Sequence, residues 1–483
     1  MTRSMLLRQT ILYLPAQVVG PVFQFVSAVA WTYFLSPGEM GAFALISAAQ
    51  ELVYLGTLFW FSLYSLRYFD GTAEAQGRAL YLDTETGLFV AATLATVLVT
   101  LLLPFLISAE WTPGLVAASA AYMASRALVT HLTDRARIEG DTLAYTVLQS
   151  AWPVAGLGIG LLLIQVFGPT ASAVLWGYAA AQLVSLLFAV VRLGMGRRPL
   201  RASKEMIAAA LTYGLPLVIG AVLVWVANNG LRFVVEWKEG AAAVGLVTVG
   251  WALGLRAAAF AAMLVTAAAF PLAVKRAREG GMAEGQAQLV RNGVLLLAAL
   301  APAAAGLWAV SEPLVRLIIA APYRDMTIAV LPLAIVAGAL RNLRIHFGEQ
   351  VFLLHEKPMV PLVNDAIDGL ATLIGAALGL YLGGLPGVVA GAAAGAFVSL
   401  VVTLLCAWTW YRFALPLADV VKLGTATLVM AACVMALPTS ASASSVGLAV
   451  AVGAFVYGGT LAILYPDARR TAVRMLKSAA GVA

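Results

Sequence analysis

Charged residues and cysteine are both scarce in this chain of 483 residues. Asp, Glu, Lys and Arg make up only 11% of it, there are two cysteines, and 62% of the residues are hydrophobic. This composition excludes an ordinary water-soluble domain, in which about 25% of the residues are charged. Because Cys406 and Cys433 both fall within apolar stretches, we expect neither a disulfide nor a metal site from them.

Signatures of catalysis are missing as well. The sequence has no GxxxxGK[ST] nucleotide-binding motif, and its three histidines, His131, His346 and His355, are scattered. The polar gaps between apolar stretches are too short to fold a soluble catalytic domain. We therefore expect no enzyme and no cofactor. A membrane glycosyltransferase or ligase is the alternative from another class, and it would need a large outer loop with catalytic groups.

Long apolar runs dominate what is present. A helix that crosses the hydrocarbon core of a bilayer needs about 20 apolar residues. Fourteen such stretches occur, at 10–34, 41–66, 86–108, 113–133, 143–166, 171–192, 206–235, 241–271, 287–310, 327–354, 359–382, 386–411, 419–437 and 445–465. The pattern predicts an all-α polytopic membrane protein with about 14 transmembrane helices.

Basic residues concentrate in every second gap between these stretches. These gaps, with the N-terminus and the tail after Tyr465, hold 22 of the 30 Lys and Arg residues, whereas the opposite gaps hold only Lys238, Arg316 and Arg324. By the positive-inside rule, we expect a bacterial inner-membrane protein with both termini in the cytoplasm. The net charge of +7 then reflects membrane topology and anionic lipids, so we expect no nucleic-acid partner.

The chain also contains a weak internal repeat. Tyr13-Leu14-Pro15 begins the first span, and Tyr213-Gly214-Leu215-Pro216 begins the seventh. Six spans per repeat keep both copies in the same orientation across the membrane, an arrangement found in transporters. We expect two pseudo-symmetric bundles with a linker and an appendix, divided as 1–192, 193–205, 206–412 and 413–483.

Ionisable residues inside two antiparallel spans are the strongest functional candidates, since each costs at least about 2.5–3.5 kcal/mol to insert. Arg341 and Arg344 share one face of the tenth span, and Asp365 and Asp368 share one face of the eleventh. Arg344 and Asp368 lie at equal depths of roughly 18 Å from the turn between the spans. They can pair, which would pin the two helices together. Glu349 and Asp365 also lie at similar depths, roughly 11–14 Å from the turn, and two facing carboxylates there would form a site for H⁺ or Na⁺ coupling. Asp368 is a further candidate for ion coupling.

Three further charges fall within spans of the two repeats. Arg256 lies near the midplane of the eighth span, and Glu51 occupies a near-equivalent place in the second, so the two could form a gate or line a cavity. Arg126 either faces the same cavity or extends toward the cytoplasmic surface. Arg67, at the cytoplasmic end of the second span, is placed to meet lipid headgroups. A cavity with this arginine content predicts an anionic cargo, with pyrophosphate as a candidate.

Four segments resemble the polysaccharide-biosynthesis flippases of the multidrug/oligosaccharidyl-lipid/polysaccharide exporter superfamily. They are Thr32–Leu45, Leu66-Arg67-Tyr68, Tyr213-Gly214-Leu215-Pro216-Leu217 and Ala269-Phe270-Pro271-Leu272. The resemblance implies a V-shaped pair of six-helix bundles that moves an undecaprenyl-pyrophosphate-linked oligosaccharide from the cytoplasmic to the periplasmic leaflet by alternating access. It also implies a role beside the polymerase and glycosyltransferases of surface polysaccharide assembly.

The same resemblance leaves other cargoes open. Lipid II flippases of the superfamily use arginines in a central cavity, a role that Arg256, Arg341 and Arg344 fit by character and depth, and their last two helices form a groove for the lipid tail. A lipid II flippase is thus one alternative. An ion-coupled multidrug extruder is another, although it would be expected to have an acidic and aromatic cavity.

Overall fold

A computed structural model describes residues 3–69, 75–195 and 198–466 of the chain. Side chains in the first helix are described from Val18 onward. The predicted basic tail at 467–483 lies outside the described residues. Within the described residues the protein is entirely helical, which confirms the predicted fold class.

Fourteen long helices, α1–α14, and one short helix at Ser311–Ile318 make up the described chain. The long helices are Arg3–Phe34, Pro37–Tyr68, Gln76–Phe105, Pro113–Ile138, Thr142–Phe167, Ala171–Arg192, 204–239, 241–280, Met282–Ala309, Ala321–Leu354, 359–382, 385–411, Leu417–Met435 and Ala443–Leu464.

In the part of the chain that the structure describes, ten helical segments are long and apolar enough to cross a membrane. Two of them, Lys204–Met263 and Met359–Tyr411, are long enough to cross twice, and each is interrupted once by non-helical backbone. The interruptions fall at Gly240 (φ 78°) and Gly384 (φ 61°), in a backbone region that glycine adopts without steric cost. The helix hairpins α7–α8 and α11–α12 therefore depend on these glycines.

Side-chain caps define several of the other helix starts. Ser36, Thr112, Asp141, Thr170 and Ser442 each accept a hydrogen bond from the backbone N–H three residues later. Such caps satisfy a donor that would otherwise have no intrahelical partner, and each stabilises the helix by about 1 kcal/mol. Pro37 and Pro113 occupy the first helical position, where a missing N–H costs nothing.

The chain forms two compact units, Met1–Val249 and Gly250–Ala483. The predicted linker 193–205 lies within the first unit, and α7 packs there against α2: Trp225 donates to the Ala48 carbonyl at 3.0 Å and Arg232 to the Ala44 carbonyl at 3.2 Å. The second unit has its own apolar core, which includes Leu296, Phe347 and Phe413.

Candidate substrate and ion sites

A buried charge cluster joins α10 to α11 in the second unit. Arg341 has only 5% of its surface exposed, and its Nε donates to Asp368 at 3.1 Å while its Nη2 donates to the Thr372 hydroxyl at 2.8 Å. The Arg341 guanidinium also lies 5.5 Å from the ring centroid of Trp251. Arg341 and Asp368 meet because α10 and α11 are antiparallel, which brings the two positions to similar depths.

Arg344 is the centre of the cluster and is 1% exposed. Its guanidinium contacts three carboxylates: Glu349, Asp365 at 2.8 Å and Asp368 at 3.5 Å. The helix widens into one π-helical turn at Arg344–Gly348, between Arg344 and Glu349. Such turns are rare and occur often at functional sites. We name the five residues Arg341, Arg344, Glu349, Asp365 and Asp368 the C-terminal cluster.

The C-terminal cluster is not charge-balanced. With every group ionised it holds two positive and three negative charges, so it carries one excess negative charge in an apolar environment. Burying an uncompensated charge is costly, and binding a proton or a small cation would remove that cost. The buried Nη1 of Arg341 and Nε of Arg344 have no hydrogen-bond partner among the described residues.

This enclosure bears directly on the predicted roles. Arg341 and Arg344 were expected to line an open cationic cavity, yet their side chains are 6% and 2% exposed and are held by carboxylates. They therefore face acidic partners, not open space, in this structure. The arrangement favours ion coupling over direct cargo binding for these two arginines, and both roles stay predictions.

In the first unit, Arg126 on α4 stacks on an aromatic ring of α5. Its guanidinium carbon lies 4.0 Å from the ring centroid of Trp152 on α5, and the side chain is half-buried. The two predicted places for Arg126, in a cavity or at the cytoplasmic surface, both stay predictions. Glu51 on α2 is exposed, and its carboxylate accepts a hydrogen bond from Asn229 at 3.1 Å.

Arg67 is exposed at the end of α2, and its contact with lipid headgroups stays a prediction. Its guanidinium lies 5.7 Å from the Tyr68 ring and 5.6 Å from the Tyr213 ring. A neighbouring pocket of about 240 Å³ is lined by Arg67, Phe69 and Arg137 among others. Two guanidinium groups beside one small pocket suit a phosphate-sized anion.

Arg256 lies in the second unit on α8, with a half-buried side chain. Glu51 lies in the first unit, so the proposed gate between these two residues stays a prediction. A larger cavity of about 800 Å³ in the first unit is lined by Glu39, Glu110 and Trp176 among others, and the predicted site residues are not part of its lining.

Sequence reasoning missed a second buried cluster, on α3 and α4. Glu85 is 0% exposed, and His131 and Arg135 are each 1% exposed. The apolar stretches were drawn as 86–108 and 113–133, which assigned Glu85 and Arg135 to solvated gaps. That assignment was wrong because both helices continue past the apolar window. The spacing of Tyr81 to Glu85 and of His131 to Arg135, four residues each, was the signal that could have found them.

The comparisons with known proteins agree with this architecture. A family model described as "Polysaccharide biosynthesis protein" matches residues 32–328. The chain belongs to this family. The matched segment contains the α3–α4 cluster and ends before the C-terminal cluster. No curated protein matches the sequence.

Solved structures show the same fold at low sequence identity. A lipid II flippase, MurJ, in an inward closed conformation superimposes with a TM-score of 0.71 at 13% identity, covering 95% of this chain and 99% of that one. An inward-facing multidrug resistance MATE transporter of the MOP superfamily gives a TM-score of 0.58 at 16% identity, with 84% and 98% covered. An outward-facing one gives 0.53 at 16% identity, with 84% and 95% covered. This protein thus has the same fold as these flippase and transporter structures.

Proposed function

We propose that the protein is a flippase that moves an undecaprenyl-pyrophosphate-linked oligosaccharide from the cytoplasmic to the periplasmic leaflet for surface polysaccharide assembly. Membership of the polysaccharide biosynthesis family is the observation that carries this proposal. The flippase and transporter fold supports it. The protein would reside in the bacterial inner membrane with both termini in the cytoplasm, beside the polymerase and glycosyltransferases of the pathway.

The arginines outside the C-terminal cluster are the proposed contacts for the cargo phosphates. Arg67 and Arg137, which line the pocket of about 240 Å³, would receive the pyrophosphate first, because a planar guanidinium binds phosphate oxygens in pairs. Arg126 and Arg256 lie deeper along their helices and would bind the headgroup during its passage.

The C-terminal cluster is the proposed site of ion coupling. Its excess negative charge would attract H⁺ or Na⁺, and occupation would change how strongly Arg344 holds α11 to α10. Since a bound ion stabilises the conformation that binds it, an ion gradient can then drive alternating access. Glu349 and Asp365 each have Arg344 as a partner, so neutralising either carboxylate weakens the same contact.

Lipid II is the second candidate cargo, favoured by the similarity in fold to a lipid II flippase over 95% of the chain. Lipid II also carries a pyrophosphate on a polyprenyl chain, so the same arginines would serve. An ion-coupled multidrug extruder shares the fold as well. It would carry cations, which the proposed arginine contacts disfavour.

A deletion strain complemented with variants tests the proposal. We expect Arg126→Ala and Arg256→Ala each to reduce export of surface polysaccharide at matched expression. Arg316→Ala is the control, because Arg316 is half-exposed and pairs with Glu312 on the surface at 2.9 Å. Export equal to wild type in both interior variants would remove these arginines from the mechanism.

A further inference from the structure

The cluster on α3 and α4 holds three ionisable groups away from water. The Glu85 carboxylate contacts Arg135 through one oxygen and the His131 Nε2 through the other, at 2.9 Å. Arg135 also donates to Glu139 at 2.8 Å, and Glu139 accepts from Arg78 at 3.1 Å on the surface. The carboxylates and arginines are equal in number, so the cluster is neutral when His131 is neutral.

A chain of hydroxyl groups connects His131 to another part of the unit. The Ser62 hydroxyl lies 2.7 Å from the His131 Nδ1, and the Tyr54 hydroxyl lies 3.1 Å from Ser62. Tyr54 is three residues after the exposed Glu51 on α2, and a π-helical turn at Leu55–Phe59 separates it from Ser62. Hydrogen bonds therefore run from the Tyr54 phenol to the Glu85 carboxylate without a break.

Aromatic rings and ionisable groups from α2, α3 and α4 surround His131. On α2, Phe61 stacks on its ring at 5.8 Å; on α3, Phe89 meets it edge-on at 5.3 Å. The ionisable groups around it are Glu85 and Tyr81 on α3, Tyr54 on α2, and Asp134, Arg135 and Arg126 on its own helix α4. Glu85 is the only carboxylate with a hydrogen bond to His131 in the described part of the chain.

The direction of proton movement follows from the donors. An arginine stays protonated in proteins and cannot pass on a proton, so the proton route ends at Glu85 and does not continue through Arg135. Serine and tyrosine hydroxyls both donate and accept. Tyr54 is buried, with 8% of its surface exposed, so water must reach its hydroxyl in another conformation. A proton delivered there shifts the chain by one hydrogen at each step. His131 Nδ1 takes the Ser62 hydrogen, Ser62 takes the Tyr54 hydrogen, and Tyr54 takes the proton from water.

We propose that Glu85 and His131 form a proton-binding site in the first unit, loaded through Ser62 and Tyr54, that couples transport to protons. This proposal rests on the proposed transport function and adds a proton site in the first unit to the ion site proposed in the C-terminal cluster. Uptake of one proton turns the neutral cluster into one with a net positive charge. Because an uncompensated buried charge is unfavourable, the loaded state favours a conformation that hydrates the cluster. By linkage, a change of conformation during transport alters proton binding in return.

The histidine content allows a direct measurement. The chain has three histidines, so ¹⁵N-histidine labelling of the full-length protein gives three side-chain signals, assigned with His346→Gln and His355→Gln. We expect the His131 signal to change from neutral imidazole to imidazolium as the pH is lowered, and its chemical shift to change in Glu85→Gln. A His131 signal that remains neutral down to the lowest pH at which the protein stays folded would overturn the proposal, whatever the protein transports.

A transport assay is the second test of the proton site. Proteoliposomes loaded with the lipid-linked oligosaccharide are assayed with and without a pH gradient, and the ratio of the two rates is compared. We expect a ratio of about 5 or more for wild type, typical of coupled sites, and a ratio near one for His131→Gln and Ser62→Ala. His355→Gln, a half-buried histidine that contacts Gln286 at 2.9 Å, should keep the wild-type ratio.

The outcomes separate the two proposals. Wild-type ratios in His131→Gln and Ser62→Ala, with both variants folded by thermal melting, would refute this proton site and leave the flippase proposal standing. No transport by any form would refute the proposed cargo, whereas the histidine titration would still decide the proton site.

Discussion

Arg344 is the residue on which the C-terminal cluster depends most. It contacts three carboxylates from two helices while almost fully buried. We expect Arg344→Ala to lower the free energy of unfolding by about 3–5 kcal/mol, because Glu349 and Asp365 lose their compensating charge while Asp368 keeps only Arg341. Arg316→Ala, which removes a surface pair between half-exposed side chains, should cost at most about 1 kcal/mol. Thermal and denaturant unfolding in detergent measure both, and equal losses would show that the cluster does not stabilise the hairpin.

Asp365 tests whether the same cluster senses ions. Its side chain is half-buried, and its carboxylate forms an ion pair with Arg344. Asp365→Asn keeps the shape but removes the excess charge, so we expect transport to lose its dependence on sodium or pH by about fivefold or more. Rates are measured over a range of each ion, with Asp325→Asn as a control outside the cluster. An unchanged ion dependence would remove the C-terminal cluster from coupling.

The sequence could predict which charged residues of α10 and α11 meet, because the depth of each one can be counted from the turn between the two helices. Arg344 and Asp368 were predicted to pair, and they lie 3.5 Å apart. The count could not show that Glu349 and Asp365 also surround Arg344, because a π-helical turn shifts the register after Arg344. Nor could it show enclosure, since exposure depends on neighbouring helices that the count leaves out.

Among the elements, the α11–α12 hairpin depends on a close approach of two backbones. A Cβ atom added at Gly391 would lie 1.8 Å from the Gly375 carbonyl oxygen, which forces the helices apart. We expect Gly391→Ala to destabilise the protein by about 1–3 kcal/mol or more. Gly424→Ala on α13 is the matched control, because a Cβ there meets nothing within 4 Å. Equal melting temperatures for the two variants would contradict the observed packing.

The helices themselves were predictable from apolar runs, and their ends were not. Hydropathy marks the part of a helix that lies in lipid, whereas the backbone stays helical into polar sequence as far as a cap or glycine. Thus α8 continues to Gly280 and α9 starts at Met282, where a longer gap of 272–291 was expected. The same continuation hid Glu85 and Arg135, which lie on the polar ends of α3 and α4 inside the fold.

At the scale of the whole molecule, membrane orientation is open to a direct check. Two variants, each with Cys406 and Cys433 replaced by Ala, carry one thiol apiece. Lys238→Cys places it at the end of α7, beside the break at Gly240, and Arg276→Cys places it near the end of α8; both positions are exposed. We expect a membrane-impermeant thiol reagent applied to intact spheroplasts to label position 238 and to leave position 276 unlabelled until lysis. The reverse pattern would invert the proposed topology.

Sequence resemblance identified the superfamily because short segments around α2, α7 and α8 carry family features, and the family match over 32–328 agrees. The cargo could not be deduced in the same way. Flippases and drug transporters share this fold, so specificity depends on a small number of side chains whose surroundings form only after folding.

Reconstituted transport of purified protein tests the account most directly. Proteoliposomes receive undecaprenyl-pyrophosphate-linked oligosaccharide in one leaflet, and a membrane-impermeant glycosidase reports its arrival in the other. Lipid II and a fluorescent organic cation are assayed in parallel. The account predicts that the lipid-linked oligosaccharide crosses faster than in protein-free vesicles and that the cation does not. Transport of the cation, with the oligosaccharide lipid crossing only at the protein-free rate, would contradict it.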